Sequence, residues 1–433
     1  MSSQQQSSQS PLRILLVTST YPRHEEDYAV PWLRESVRQL SLRGHEVTVL
    51  APAYRGLPDH DLDGVTVKRF RYANAEWETL THEGGAPARI SNPLFQLLAA
   101  PYVAAGCLAA RRLARQQEFD IVHTHWPFPH GPIGASAARA AKVPHVVTSH
   151  GAGLAIARRK KWVRPILRHS LQAADLSIAN SMDTAEKVRE VSGVDSLVLP
   201  FGTTVAAKNI PAPKNRIPRI LFTGRLIERK GVEYLLKAAD RVLRKREAQF
   251  VICGDGPARD RLERLCSDLS LDHAIRFLGF VSNEWLNEEY SRCDIWVNPA
   301  VIDRRGDTEG LGVGAIEAYA HAKPVIASKV GGIPDAVVHN QTGLLTPERD
   351  EAALAEAIMH LIDNPVKAKA MGAVGLQFAQ QKFNWERITD ELVTAYCKLI
   401  GRDSAEFDSS ATIEVPALSN GDSTEGAQFE FVN

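Results

Sequence analysis

The sequence predicts an α/β protein in which two parallel sheets form two Rossmann-like domains that face a shared cleft. Short, continuously apolar runs alternate with segments of helical periodicity, which is typical of parallel strands buried on both faces. Residues 208–218 contain three prolines and no periodicity, and the same alternation begins again after them. At 433 residues, the chain is also too long for one ordinary hydrophobic core.

Residues 12–207 form the first predicted domain. It opens with a strand, a helix that ends at Gly44 and a second strand, which together make a βαβ unit. The expected strands are residues 13–18, 45–51, 65–70, 120–125, 145–149, 176–179 and 196–199. The expected helices are residues 25–43, 94–115, 132–141 and 182–190.

Residues 219–384 form the second predicted domain, and residues 208–218 link it to the first. The expected strands are residues 219–223, 250–253, 275–278, 295–298, 324–327 and 343–345. The expected helices are residues 231–245, 257–269, 285–291, 312–322 and 351–363. Ligands of open parallel sheets bind at the carboxyl ends of the strands, so we expect both domains to present this edge to the cleft.

The composition of the chain excludes several classes of protein. The formal net charge is zero, which argues against a general nucleic-acid binder. The five cysteines are scattered without a CxxC pair, which indicates a reducing compartment and neither a zinc site nor a disulfide framework. The N-terminus lacks the pattern of a secretory signal, and the apolar run at 94–110 is short for a membrane span. We expect a cytoplasmic protein with disordered tails at residues 1–11 and 402–433.

The segment from Asp307 to Asp335 is the most informative part of the chain. Three glycines open an almost wholly apolar helix, and their backbone amides can approach an anion closely. That helix carries one carboxylate, Glu317, and the loop before it carries Glu309. A phosphate cradle with two nearby carboxylates suits a nucleotide sugar. The alternative is a buried helix in which Glu317 pairs with a structural Arg or Lys.

Two cations lie in the turn after the first strand of the second domain. Arg225 and Lys230 precede a helix at a carboxyl strand end, which suits them to bind a diphosphate. The alternative is a solvated turn, where such residues are common. The next strand ends at Gly254-Asp-Gly256, a glycine turn that lacks the GxGxxG spacing of dinucleotide-binding proteins.

Histidines mark the strand ends of the first domain. His150 follows a strand at the cleft, where a structural role and a functional role both remain open. His123, His125 and His130 suggest a metal site, but no cysteine or suitably placed carboxylate accompanies them, so we predict no metal site. The two DxD matches at residues 59–63 lie in a polar turn, and we assign them no function.

A basic patch follows His150 in the sequence. It contains five cations around Trp162: Arg158, Arg159, Lys160, Lys161 and Arg164. Such a run is usually a solvated face. The alternative is peripheral contact with anionic lipid headgroups or with a phosphorylated acceptor.

Together these motifs resemble the retaining GT-B glycosyltransferases of family 4, the group 1 transferases, over residues 12–401. The most specific motif is Glu309-Gly-Leu-Gly-Val-Gly-Ala-Ile-Glu317, which has the family's Glu-x7-Glu spacing. The supporting motifs are Gly224-Arg225…Lys230-Gly231, Gly254-Asp-Gly256, Gly331-Gly332-Ile-Pro and Asp120-Ile-Val-His-Thr-His125. One departure is the loop at residues 19–28, which has no glycine where many members have a Gly-Gly pair.

The resemblance implies roles for these residues. Arg225 and Lys230 would hold the donor diphosphate, Glu317 the ribose hydroxyls and Glu309 the transferred sugar, which His150 would help to orient. The implied catalytic residues are His150, Glu309, Arg225 and Lys230. The implied donor-binding residues are Arg225, Lys230, Gly254, Val281, Glu309, Gly310, Leu311, Gly312 and Glu317. The helix at residues 385–401 would cross back to complete the first domain.

The resemblance further implies a GT-B enzyme that moves a hexosyl group from a UDP- or GDP-linked sugar to a hydroxyl acceptor, with retention. We expect no cofactor and no divalent metal, because cations and helix amides stabilise the leaving diphosphate. The resemblance does not identify the acceptor, and one candidate is a lipid-linked molecule. The corresponding process would be glycolipid, cell-envelope or exopolysaccharide synthesis at the inner face of the cell membrane. The alternatives are a GT-B nucleotide-sugar epimerase and a non-catalytic nucleotide-sugar-binding protein.

Overall fold

The computed structural model describes residues 10–27, 29–81, 97–203 and 215–402. They form two parallel α/β sheets, each with helices on both faces, as the alternation of apolar runs predicts. Most of the linker predicted at residues 208–218 and almost all of both predicted tails lie outside the described residues. None of the described helices combines the length and apolarity that crossing a bilayer requires.

Across the described residues, the first sheet has eight strands in the order β3-β4-β2-β1-β5-β6-β7-β8, and all pairs are parallel except β3–β4. Its strands are β1 (Arg13–Val17), β2 (Glu46–Pro52), β3 (His60–Leu62), β4 (Val65–Phe70), β5 (Ile121–His125), β6 (His145–Ser149), β7 (Leu176–Ala179) and β8 (Leu197–Val198). Its helices are α1 (Pro31–Leu42), α2 (Ala99–Gln116), α3 (Pro127–Ala141), α4 (Ala152–Arg159), α5 (Val163–Gln172) and α6 (Met182–Ser192).

The second sheet, in the same described part of the chain, has six parallel strands in the order β11-β10-β9-β12-β13-β14. Its strands are β9 (Arg219–Thr223), β10 (Gln249–Cys253), β11 (Ile275–Gly279), β12 (Ile295–Asn298), β13 (Val325–Ser328) and β14 (Gly343–Thr346). The helices that follow β9 are α7 (Val232–Leu243), α8 (Arg259–Asp268), α9 (Asn283–Arg292), α10 (Val313–Ala320), α11 (Ile333–Ala336), α12 (Glu351–Asp363), α13 (Pro365–Lys382) and α14 (Trp385–Leu399).

Each sheet has one position where the strand order reverses. The chain passes from β9 to β10 and β11 on one side and then returns to β12 on the other side of β9. In the first sheet the same reversal lies between β1 and β5. Ligands of open α/β sheets bind in the crevice outside the carboxyl strand ends at such a position.

Helix α14 belongs to the core of the first domain, as the resemblance implies. Its Leu392 and Tyr396 are buried in the same apolar cluster as Leu33 and Val37 of α1. The Tyr396 hydroxyl also lies 2.6 Å from His123 Nδ1 on β5. The helix ends at Leu399, two residues before the expected end.

Some sequence predictions are wrong in extent. Helix α1 begins at Pro31 and not at residue 25, because Val30 adopts a left-handed conformation and Pro31 starts the helix. The segment assigned to a polar turn contains the edge strand β3. Helices α4, α5 and α13 have no counterpart among the expected elements. Residues 94–96 of the expected helix at 94–115 lie outside the described residues.

Candidate active site

The turn after β9 places two predicted cations at the reversal point of the second sheet. Gly224 leaves the strand with φ 143°, and a short 3-10 turn then runs from Glu228 to Lys230. Gly231 follows in a left-handed conformation, and a Cβ there would lie 1.8 Å from the carbonyl oxygen of Pro299, just beyond β12. Only glycine permits this approach, so the turn is held firmly against the neighbouring strand end.

Glu309 is buried, with 6% of its surface exposed, and it is paired with two cations. Lys230 Nζ lies 3.0 Å from its Oε1, and Arg229 Nη1 donates to the same oxygen. Burial alone would raise the pKa of this carboxyl, but Lys230 and Arg229 outweigh it and lower the pKa. The structure therefore joins two predicted site residues, and it adds Arg229, which sequence analysis did not select.

Glu317 lies on α10 and accepts a hydrogen bond from a tyrosine hydroxyl. Tyr290 donates to its Oε2 at 2.7 Å, and Thr223 lies 2.8 Å from the Tyr290 hydroxyl. Trp296 Nε1 donates to Thr223 at 3.0 Å, so the chain of donors runs from the indole to the carboxylate. Burial raises the pKa of Glu317.

The alternative in which Glu317 pairs with a structural Arg or Lys is wrong. Among the described residues it forms no ion pair, and its Oε1 accepts no hydrogen bond. Oε1 therefore remains available to a ligand.

Glycines bring the loop after Glu309 against the first domain. A Cβ on Gly310 would lie 3.1 Å from Asn180 Nδ2 and 3.3 Å from the His150 carbonyl oxygen. Leu311 is buried, and Gly312 caps α10 with φ 78°. Gly332 donates its N–H to the Glu309 carbonyl at 3.0 Å, which explains the Gly-Gly turn as support for this loop.

Two further predicted donor residues lie at the ends of β10 and β11. A Cβ on Gly254 would lie 1.9 Å from the Gly224 carbonyl oxygen, so this glycine lets two strand-end turns pack directly. Val281 is partly buried against the core of the second domain, beside Phe280, whose surface is 76% exposed. The role of Gly254 and Val281 toward a donor stays a prediction.

His150 lies in an aromatic environment at the end of β6. Its ring stacks on His125 at 5.1 Å between centroids, and Trp32 and Trp126 lie at 4.7 and 4.8 Å. His150 Nε2 and His125 Nδ1 are 2.9 Å apart, whereas the buried His150 Nδ1 has no partner among the described residues. Burial lowers the pKa of His150 to about 3, so the imidazole is neutral at physiological pH.

Two other histidines that suggested a metal site, His123 and His130, have structural partners. His123 Nε2 lies 2.7 Å from Thr148 Oγ1, and His130 Nε2 lies 2.7 Å from the Tyr102 hydroxyl. Within residues 10–27, 29–81, 97–203 and 215–402, no group of three or more potential metal ligands comes together. The DxD carboxylates are also engaged, because Asp59 accepts from Lys68 and Arg69, Asp61 from Thr66 and Asp63 from Arg34.

A cleft of about 1160 Å³ separates the domains. Arg225 lines it and is exposed, and its side chain forms no hydrogen bond or ion pair with any described residue. Opposite it, α4 of the first domain contributes Ala152, Ile156 and Arg159. The cleft therefore contains an exposed cation, Arg225, in a space bounded by both domains. Lys230 and Glu309 are not among the described residues that line this space, but Lys230 packs against the turn that carries Arg225, since its Cε would lie 3.3 Å from a Cβ on Gly224.

The basic patch lies on α4 and α5 and on the turn between them. Arg158 pairs with Glu190 at 3.1 Å, and Arg164 Nη2 donates to the Glu190 carbonyl oxygen at 3.4 Å. The other three cations are exposed, as is Trp162 at 53%.

Two parallel α/β domains that share a cleft and are crossed by a returning helix define the GT-B class of glycosyltransferases. Sucrose-phosphate synthase from Thermosynechococcus elongatus has this fold, with a TM-score of 0.72 at 23% identity over 90% of this chain and 99% of that one. HepE from Anabaena, in complex with UDP-glucose, gives a TM-score of 0.67 at 19% identity over 90% and 100%.

The family follows from the sequence matches. Residues 32–203 match the model of "Glycosyltransferase Family 4", and residues 217–364 match that of "Glycosyl transferases group 1". The two matches together span more than half of the chain. The chain belongs to this family, and it is a glycosyltransferase.

Individual relatives of the chain are also glycosyltransferases. A GDP-mannose-dependent alpha-(1-6)-phosphatidylinositol monomannoside mannosyltransferase of Mycobacterium tuberculosis is 27% identical over 403 residues, 88% of this chain and 97% of that protein. A D-inositol 3-phosphate glycosyltransferase of Geodermatophilus obscurus is 31% identical over 309 residues, 64% of this chain and 66% of that protein.

Proposed function

We propose that this glycosyltransferase moves a hexosyl group from a UDP- or GDP-linked sugar to a hydroxyl acceptor, with retention at the anomeric carbon. The observation that carries the proposal is the pairing of Lys230 with the buried Glu309 at the reversal point of the second sheet, in the same turn after β9 as the exposed Arg225. Similarity to the GDP-mannose-dependent mycobacterial enzyme and to the UDP-glucose complex of HepE supports a nucleoside diphosphate donor.

In this proposal Arg225 and Lys230 hold the diphosphate, which gains negative charge as the glycosidic bond breaks. Cations and backbone amides placed before the reaction stabilise that charge without reorganisation. Glu309 then accepts hydrogen bonds from the transferred sugar, and Oε1 of Glu317, which accepts no hydrogen bond from any described residue, accepts from the ribose. We propose that these groups suffice, so that no divalent metal and no other cofactor is required.

His150 has a positioning role in the same proposal. Its neutral ring is fixed by His125, and its Nδ1, which is buried without a partner among the described residues, would bind a sugar hydroxyl. The loop that carries Glu309 passes directly beside the backbone of His150. The acceptor hydroxyl oxygen bonds to the anomeric carbon on the face from which the diphosphate departs, and the departing diphosphate takes the hydroxyl proton, so the configuration is retained. Closing of the cleft would shield this face from water.

The test begins with a thermal-shift screen of UDP- and GDP-linked hexoses. The donor that stabilises the protein most is then incubated with hydroxyl acceptors, with and without EDTA, and the anomeric configuration of the product is determined by NMR. We expect a retained product and full turnover in EDTA. An inverted product, strict metal dependence, or an epimerised nucleotide sugar formed without an acceptor would contradict the corresponding part of the proposal.

We further propose that the enzyme works on the inner face of the cell membrane, in glycolipid, cell-envelope or exopolysaccharide synthesis. The exposed Lys160, Lys161 and Trp162 support this, because cations beside an aromatic ring suit an anionic headgroup layer. Replacing both lysines by Gln should weaken sedimentation with phosphatidylglycerol vesicles. Equal sedimentation of the variant and the wild type would refute membrane contact through this patch.

A further inference from the structure

The cleft carries a local excess of positive charge. Seven arginines line it against four carboxylates, whereas the whole chain has a formal net charge of zero. A concentration of arginine in a cleft is suited to phosphate, because the guanidinium fork can bind two phosphate oxygens at once.

Most cleft arginines already have a partner. Arg229 binds Glu309, Arg261 pairs with Glu233 at 2.6 Å, and Arg304 pairs with Glu228 at 3.4 Å. The side chains of Arg159, Arg225 and Arg305 are exposed and form no ion pair or hydrogen bond within the part of the chain that the structure describes.

The three unpaired arginines come from both domains. Arg159 ends α4 of the first domain, Arg225 follows β9, and Arg305 lies in the loop after β12. The proposed function assigns Arg225 to the donor diphosphate, which leaves Arg159 and Arg305 without a ligand. The volume of about 1160 Å³ also exceeds the roughly 300–1,000 Å³ typical of a site for one small molecule.

We propose that the acceptor carries a phosphate group, which binds between Arg159 and Arg305 while the donor diphosphate is held by Arg225, which lines the same cleft. This inference rests on the proposed function only for the place of the donor. It defines the acceptor by chemistry: a hydroxyl compound bearing a phosphate ester, either free in solution or held in a lipid headgroup. A phosphate contacted from both domains also favours the closed form of the cleft.

The test uses the full chain saturated with the nucleoside diphosphate that binds better, UDP or GDP. Glycerol 3-phosphate is the probe, glycerol is its uncharged match, and binding is followed by ligand-observed NMR at constant ionic strength. The variant is Arg159→Gln with Arg305→Gln. The matched control is Arg112→Gln with Arg115→Gln, which removes the same charge from exposed arginines of α2.

We expect the wild type and the control to bind glycerol 3-phosphate, and the cleft variant to bind it at least about tenfold more weakly. The affinity for UDP or GDP should be unchanged in both variants. This second measurement therefore distinguishes a loss of donor binding from a loss of phosphate binding. The inference is overturned if glycerol 3-phosphate binds no better than glycerol, or if both variants lose binding equally.

Phosphatidylglycerol vesicles distinguish the two sources of phosphate. If the acceptor is a lipid, the cleft variant should also bind vesicles more weakly than the control. If the acceptor is soluble, vesicle binding should be unchanged while glycerol 3-phosphate binding is lost.

Discussion

Replacement of Lys230 by alanine separates a role in donor binding from a role in stability. In the structure Lys230 Nζ lies 3.0 Å from Glu309 Oε1, and its side chain is 17% exposed. Arg229 donates to the same carboxylate oxygen. Glu309 therefore keeps one cationic partner when Lys230 is removed, and no uncompensated buried charge results.

These contacts determine the expected losses of stability and of nucleotide affinity in Lys230→Ala. A hydrogen bond to a charged group contributes about 1.5–3 kcal/mol, and the remaining Arg229 keeps the loss of stability near the lower end. For a domain of this size, about 1.5 kcal/mol lowers Tm by roughly 3–6 °C. If Lys230 binds the diphosphate, the same range of energies weakens UDP or GDP binding by about 10- to 150-fold.

Titration calorimetry with UDP and GDP gives the affinity, and thermal unfolding gives the stability. Lys237→Ala is the matched control, because Lys237 lies on α7 and also forms one ion pair, at 2.9 Å, with Glu233. We expect nucleotide affinity to fall in Lys230→Ala and to stay at the wild-type value in Lys237→Ala. Equal nucleotide affinity of the two variants would refute the assignment of Lys230 to the diphosphate.

Three other variants test the surrounding groups. Tyr290→Phe removes the donor to Glu317 and should cost about 1–3 kcal/mol of unfolding free energy in a urea titration, together with weaker nucleotide binding; an unchanged unfolding midpoint would contradict the network. The depressed pKa of Glu309 means that its charge stabilises the fold above the ordinary value of 4.5, and that this contribution is lost as pH falls below 4.5. Between pH 4.5 and about pH 3, the free energy of unfolding should therefore fall more in the wild type than in Glu309→Gln. Equal losses in the two proteins would show that the charge of Glu309 does not interact with Lys230 and Arg229. Because burial holds the pKa of His150 at about 3, the ratio of donor affinities between the wild type and His150→Gln should be constant from about pH 5 to 8. A change of that ratio near the ordinary histidine pKa of 6.5 would show that the ring titrates.

The sequence predicted the two-sheet fold because parallel strands buried on both faces leave continuous apolar runs. It failed where that signal is weak. Edge strand β3 has two polar residues out of three, so it carries one apolar residue, Leu62, and it pairs with β4 alone. Helices α4 and α5 are short and are separated by a basic turn, and Pro165 lies in the first turn of α5, so their periodicity is hidden.

The candidate site was only partly predictable for a related reason. Glu309, Glu317, Arg225 and Lys230 stand in motifs whose spacing identifies them. The partner of Glu317 is Tyr290, which lies 27 residues away on another helix, and only the packing of α9 against α10 joins them.

The choice between adjacent cations is also hidden from the sequence. Arg229 and Lys230 are neighbours in one short turn, and the structure shows that both reach Glu309. Spacing alone gives no indication of this shared pairing.

In the proposed function the second domain holds the donor diphosphate through Arg225 and Lys230. A structure of the full chain with bound UDP or GDP tests this placement without an intermediate assumption. We expect phosphate oxygens within hydrogen-bond distance, about 2.7–3.2 Å, of Lys230 and Arg225, with the ribose at Glu317. A diphosphate bound at any other place, with the contact between Lys230 and Glu309 intact and Arg225 still unpaired, would contradict the account.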